Sequence, residues 1–172
     1  MSKNLNASKF TVPDACEDAL MTLSGENSAS VLHIATHGFF FPEPEKKYDE
    51  FTTGNTGSKL FATSGNPLKR SGIVLSGANN FWRKGEKNET TSDGIITAEE
   101  IINNLNLENT EFVLLSACET GLGDIKGGEG VYGLQRAFQL AGAKAMIMSL
   151  WKVPDEKTAL LMNSSTPTGW EE

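Results

Sequence analysis

The sequence predicts an α/β fold, with a mostly parallel central sheet and helices on both of its faces. Three observations carry this reading. The runs VLHIA (31–35), FVLLSA (112–117) and AMIMSLW (145–151) are almost continuously apolar, as strands buried on two faces are. Segments with apolar residues at helical spacing alternate with them. Helix punctuation brackets those segments: Pro13-Asp14 and Pro154-Asp155 open helices, and Gly25 and Gly142 close them.

Taken in order, the chain begins with a polar stretch. A first helix follows, in which Cys16, Ala19, Leu20 and Leu23 share one face before Gly25. The strand at 31–35 runs out in Thr36-His37-Gly38. Residues 42–69 are rich in Pro, Gly, Ser, Thr, Asn and charge without period, and read as a long surface loop. GIVLSG (72–77) is a short strand bounded by glycines, and a second polar loop covers about 79–94. Thr97-Ala98-Glu99-Glu100 has the pattern of a capping box and starts a helix running to about Leu105. The strand at 112–117 runs into Cys118-Glu119-Thr120-Gly121, and a glycine-rich loop covers 119–130. Val131, Leu134, Ala137, Phe138 and Ala141 mark the next helix; after the strand at 145–151, a last helix runs to about Met162. The sequence contains no internal repeat.

With 172 residues the chain can build one real core. A formal net charge of −7 argues against affinity for nucleic acid or an anionic membrane surface, because both need a basic face. The first residues have no apolar signal region, and no apolar run approaches a membrane span. Cys16 and Cys118 lie far apart without metal-type spacing, which suits reduced thiols in the cytoplasm.

In a parallel sheet, reactive groups gather beyond the carboxyl ends of the strands. This puts His37 and Cys118 on one edge. A thiol needs a base or a positive neighbour to become a nucleophile, and His37 meets that need. An oxyanion needs backbone N–H donors, and Gly38 and the N–H of Cys118 are candidates. The other reading makes Cys118 a small buried hydrophobe and His37 a loop residue. His33 and His37 have the spacing of a helical zinc pair, but on a strand they lie roughly 13 Å apart, so His33 reads as a core or near-core residue and no metal is expected. Gly128 to Gly133 fits GxGxxG, yet a loop separates it from the preceding strand, so the glycines read as a loop feeding a helix. Asp93-Gly94 is a turn signal, and Asp155 reads as a helix N-cap.

The stretches VLHIATHGFFF, SGIVLSGAN, DGIITAEEI, LLSACETGLG and GGEGVYGLQRAFQLAGAKAMIMSLWKVPDEKTALLM together resemble the CHAT family of caspase-like, TPR-associated cysteine proteases. The resemblance implies a caspase-like three-layer sandwich over 31–163, incomplete at both ends. Residues 1–30 would be a polar segment with the first helix, and 164–172 an unstructured tail. It places the family's catalytic histidine on His37, its nucleophile on Cys118 and its oxyanion glycine on Gly38. Asp155 falls where related enzymes recognise a basic P1 side chain, and Asp93 falls in a segment lining the same pocket. The implied reaction is cleavage of a protein or peptide substrate after Arg or Lys through a thioester, with no cofactor. A TPR-containing regulatory partner is implied as well. The alternative implied by the chain's boundaries is an idle binding or scaffolding module with the same fold.

Overall fold

The computed structural model describes residues 7–42, 56–84, 92–118 and 129–148. Their elements run α1 (Glu17–Thr22), β1 (Val31–Phe40), α2 (Thr56–Ala62), β2 (Ser71–Val74), α3 (Ala78–Lys84), β3 (Ile95–Thr97), α4 (Ala98–Asn104), β4 (Phe112–Cys118), α5 (Glu129–Leu140) and β5 (Ala145–Met148). The five strands form one sheet in the order β3-β2-β1-β4-β5. The fold is mixed α/β, as the alternation of patterns predicts.

The sheet is less parallel than the apolar runs suggest. β1 and β4 pair in parallel, as do β4 and β5, but β2 lies antiparallel to both β1 and β3. Continuous apolar runs mark burial rather than direction, and the three such runs in the sequence are the three strands that do run parallel. β1 is also longer than its apolar run. It continues through Thr36, His37 and Gly38 to Phe40, because residues 37–40 find partners in β2. His37 therefore lies inside a strand and not in the loop beyond one.

The first core fills one face of the sheet. Leu32 and Ile34 of β1, Ile73 of β2, and Val113 and Leu115 of β4 pack with Leu20 of α1, Ile101 of α4, and Leu134 and Phe138 of α5. The period-2 rule puts the remaining β1 positions on the opposite face. There a second, smaller core joins Phe39 and Ile95 to Ala78 and Phe81, with Phe41, Phe61, Val74 and Trp82 packed against it. This second core rests on α2 and α3, both inside stretches that read as loops. Each is seven residues long, too short to display a helical period. Aromatic packing holds them instead: the Phe39 ring centroid lies 5.2 Å from that of Phe61 and 5.3 Å from that of Trp82.

Several sequence signals act as written. The capping box at α4 is complete: Thr97 Oγ1 accepts from the Glu100 N–H, and the Glu100 carboxylate accepts from the Thr97 N–H at 2.8 Å. Thr97→Ala is expected to lower stability by about 1 kcal/mol, read from the urea midpoint. An unchanged midpoint would mean the cap is redundant. α5 ends at Leu140, with Gly142 at φ +110°. The α1 helix is shorter than its pattern and starts at Glu17. Of the glycine-rich loop predicted at 119–130, residues 129–130 belong to α5 and 119–128 lie outside the described residues, as do the helix at 154–162, the tail and Asp155.

Candidate active site

The sheet builds a row of four residues across four strands. Ile95 of β3 pairs with Val74 of β2, Val74 with His37 of β1, and His37 with Cys118 of β4. Residues in register on adjacent strands sit about 4.8 Å apart and belong to the same face of the sheet. The row therefore brings His37 and Cys118 together, on the face that also carries the Phe39 core. His37 is exposed. His33 lies four residues earlier on β1 and is exposed as well, which corrects its reading as a core residue. The cause is that β1 buries only Leu32 and Ile34 over this stretch, leaving the alternate positions open.

The same row bounds both ladders among the described residues. On the β4 side, the last described pair is His37 with Cys118, and Gly38, Phe39 and Phe40 of β1 pair with β2. On the β2 side, the antiparallel register begins at His37. There the Thr36 hydroxyl donates to the Val74 carbonyl, satisfying an acceptor at the end of the ladder. Sequence gives no sign of this contact, which spans 38 positions.

Asp93 lies at the other end of the row, two residues before Ile95. Three strand spacings, about 14 Å, separate the β3 end of the row from Cys118. The Asp93 Oδ1 accepts from the Ile95 N–H at 3.0 Å, an Asx-type turn leading into β3. Gly94 has φ +75°, and a Cβ there would meet the Ala78 backbone nitrogen at 2.4 Å. Glycine is required at this turn on both counts.

Glu17, which the sequence reading left aside, ties this turn to α1. Its Oε2 accepts from the Ser92 hydroxyl at 2.8 Å and from the Gly94 N–H at 3.3 Å. Burial raises its pKa above the ordinary 4.5, and the nearby Asp93 and Glu100 charges add to that; the Ser92 and Gly94 hydrogen bonds act against it. Beside it is a cavity of about 260 Å³ lined by Cys16, Asp18, Ser76, Ser92 and Gly94, among others. A raised carboxylate pKa means that the folded state holds the proton more tightly than the unfolded chain. Stability from this group is thus greatest below the ordinary value and declines as pH rises from 4.5 through the raised folded value. Glu17→Gln keeps an acceptor and is expected to flatten this decline in a pH series of Tm. A steeper decline in the variant would contradict the account.

The last glycine of the GxGxxG stretch, Gly133, serves packing. A Cβ on Gly133 would come 2.8 Å from Ser71 Oγ, so the glycine lets α5 lie close against β2. Among the described residues, no group of three or more His, Cys, Asp or Glu is placed to hold a metal ion. Among them, too, no helix is long and apolar enough to cross a membrane.

Fold and site define a class: a mixed α/β domain with a histidine and a cysteine in register on adjacent parallel strands. The CHAT domain family model matches residues 2–166, nearly the whole chain. The chain belongs to this family, which is caspase-like and related to proteases. No curated protein matches the sequence.

Proposed function

We propose that the protein is a cysteine endopeptidase of caspase-like, three-layer architecture, with Cys118 as nucleophile and His37 as its acid–base partner. The register pairing of His37 with Cys118 is the observation that carries this reading. Exposure of His37 supports it, because a peptide must reach the pair.

In the proposed reaction His37 takes the thiol proton and Cys118 Sγ attacks the scissile carbonyl carbon. The tetrahedral oxyanion is held by backbone N–H groups of Gly38 and Cys118. Support for Gly38 comes from its place on β1 directly after His37, the residue in register with Cys118. The C–N bond then breaks, His37 gives its proton to the leaving amine, and a thioester remains. Water, deprotonated by His37, attacks the thioester and restores the thiol, releasing the acid product. No cofactor enters this cycle.

Asp155 is proposed to recognise an Arg or Lys at P1, more strongly Arg, whose guanidinium pairs with a carboxylate through two hydrogen bonds. Asp93 joins the proposal as a secondary acidic group near the β3 end of the row. Control by a TPR-containing partner belongs to the same reading. A positional-scanning library of fluorogenic peptides tests specificity: cleavage after Arg and Lys is expected, and Asp155→Ala should lower that preference by about tenfold or more. An unchanged preference in Asp155→Ala would remove Asp155 from the pocket.

A further inference from the structure

Ser116 of β4 carries a hydroxyl that the fold buries without pairing it. Its Oγ is closed to solvent and has no hydrogen-bond partner among the described residues. A buried, unpaired hydroxyl destabilises a fold, and where one is kept it calls for a reason, such as a part in chemistry. Alanine would fill the same place without that penalty.

The position of Ser116 supplies the reason. It pairs in register with Ala35, two residues before the pair of His37 with Cys118. Residues two apart on a strand share a face, so Ser116 lies on the face that carries His37. One strand spacing and two residues of rise put its Cα about 8 Å from that of His37. A side chain as long as histidine spans such a diagonal. The other described neighbours of His37 on this face are Ala35 and Phe39 on β1, Gly72 and Val74 on β2, and Cys118 on β4. Apart from the thiol, none of these has a side chain that accepts a hydrogen bond. The Thr36 hydroxyl belongs to the opposite face and is engaged with the Val74 carbonyl.

We propose that Ser116 is a positioning residue for His37. The imidazole turns toward β4, one ring nitrogen faces the Cys118 thiol, and the N–H of the other donates to Ser116 Oγ. This rests on the reading of His37 and Cys118 as base and nucleophile. A base of this kind works best when a third group fixes its tautomer and its ring. The bond strengthens as His37 takes the thiol proton, because a charged donor makes the stronger hydrogen bond. Closure of Oγ to solvent adds to this, since bulk water does not compete for the ring N–H. The proton stays on His37; Ser116 holds the ring and exchanges nothing.

Alkylation of Cys118 by iodoacetamide tests this without a peptide substrate, with Cys16 as internal reference and both followed by peptide mass spectrometry. Ser116→Ala is expected to slow alkylation of Cys118 by about tenfold, the effect of losing one hydrogen bond to a charged group. Cys16 should be unaffected, and Tm unchanged or raised. Ser116→Thr keeps the hydroxyl and should restore the rate. In a His37→Ala background, Ser116→Ala should bring no further loss, because it acts through the imidazole. With an Arg-P1 peptide, kcat should fall in Ser116→Ala and KM should hold. A wild-type alkylation rate in Ser116→Ala would overturn the proposal, as would a full further loss on top of His37→Ala, or a Ser116→Thr variant as slow as Ser116→Ala. So would a lower Tm with both cysteines changed together, the mark of a merely structural hydroxyl. The expected alkylation pattern in a chain that cleaves no peptide would uphold the role of Ser116 and overturn only the proteolytic reading.

Discussion

Cys118→Ala is expected to reduce kcat/KM for an Arg-P1 peptide by about a thousandfold or more, with little change in stability. The physical reason is that in the proposed reaction the sulfur forms the covalent bond. His37→Ala should cost a similar factor, because without a base at neutral pH most of a free thiol stays protonated. The double variant should be no worse than either single one, since in the proposed reaction the two residues act as a unit. Additive losses would mean that they act in separate steps. Activity retained in Cys118→Ala would show that the pairing in register has no catalytic meaning.

Phe138→Ala carries the largest expected effect on stability. Phe138 is fully buried on α5, in the core that includes Ile101, Leu134, Val113 and Leu115. Truncating such a ring loses its transfer free energy and leaves a cavity, a cost of about 3–5 kcal/mol. Domains of this size have total stabilities of about 5–15 kcal/mol, so the change consumes a large share. In a domain of this length each kcal/mol moves Tm by about 2–4 °C, and a fall on the order of 10 °C is expected in calorimetry. A fall of less than about 3 °C would mean that α5 repacks into the space and that the core is looser than its burial indicates.

Both predictions draw on parts of the molecule that were legible in the sequence. The strands β1, β4 and β5 announce themselves because they are apolar without interruption. Their parallel direction followed from the helical segments between them, and direction alone put His37 and Cys118 at one edge. The capping box at Thr97 and the turn at Asp93-Gly94 were legible for a local reason: each is written within four residues.

What stayed hidden depends on contacts between distant positions. α2 and α3 have too few turns to show a period, and what fixes them is the aromatic packing around Phe39. β3 is three residues long and is defined by its pairing with β2. The extension of β1 through His37 to Phe40 exists because β2 offers partners there, and nothing in THGFF alone demands it. Glu17 reaches Ser92 across 75 positions. No local signal distinguishes it from a surface acid in the first turn of a helix. The exposed side of β1 was hidden for a related reason: an apolar run records which residues prefer burial, not whether the neighbouring segments supply it.

The claim that His37 and Cys118 form a working pair is tested most directly by covalent capture. The protein is incubated with an Arg-chloromethylketone, and the modified residue is mapped by peptide mass spectrometry. The account predicts a single adduct on Cys118, none on the half-buried Cys16, and loss of the Cys118 adduct in His37→Ala. Equal labelling of both cysteines, independent of His37, would contradict it.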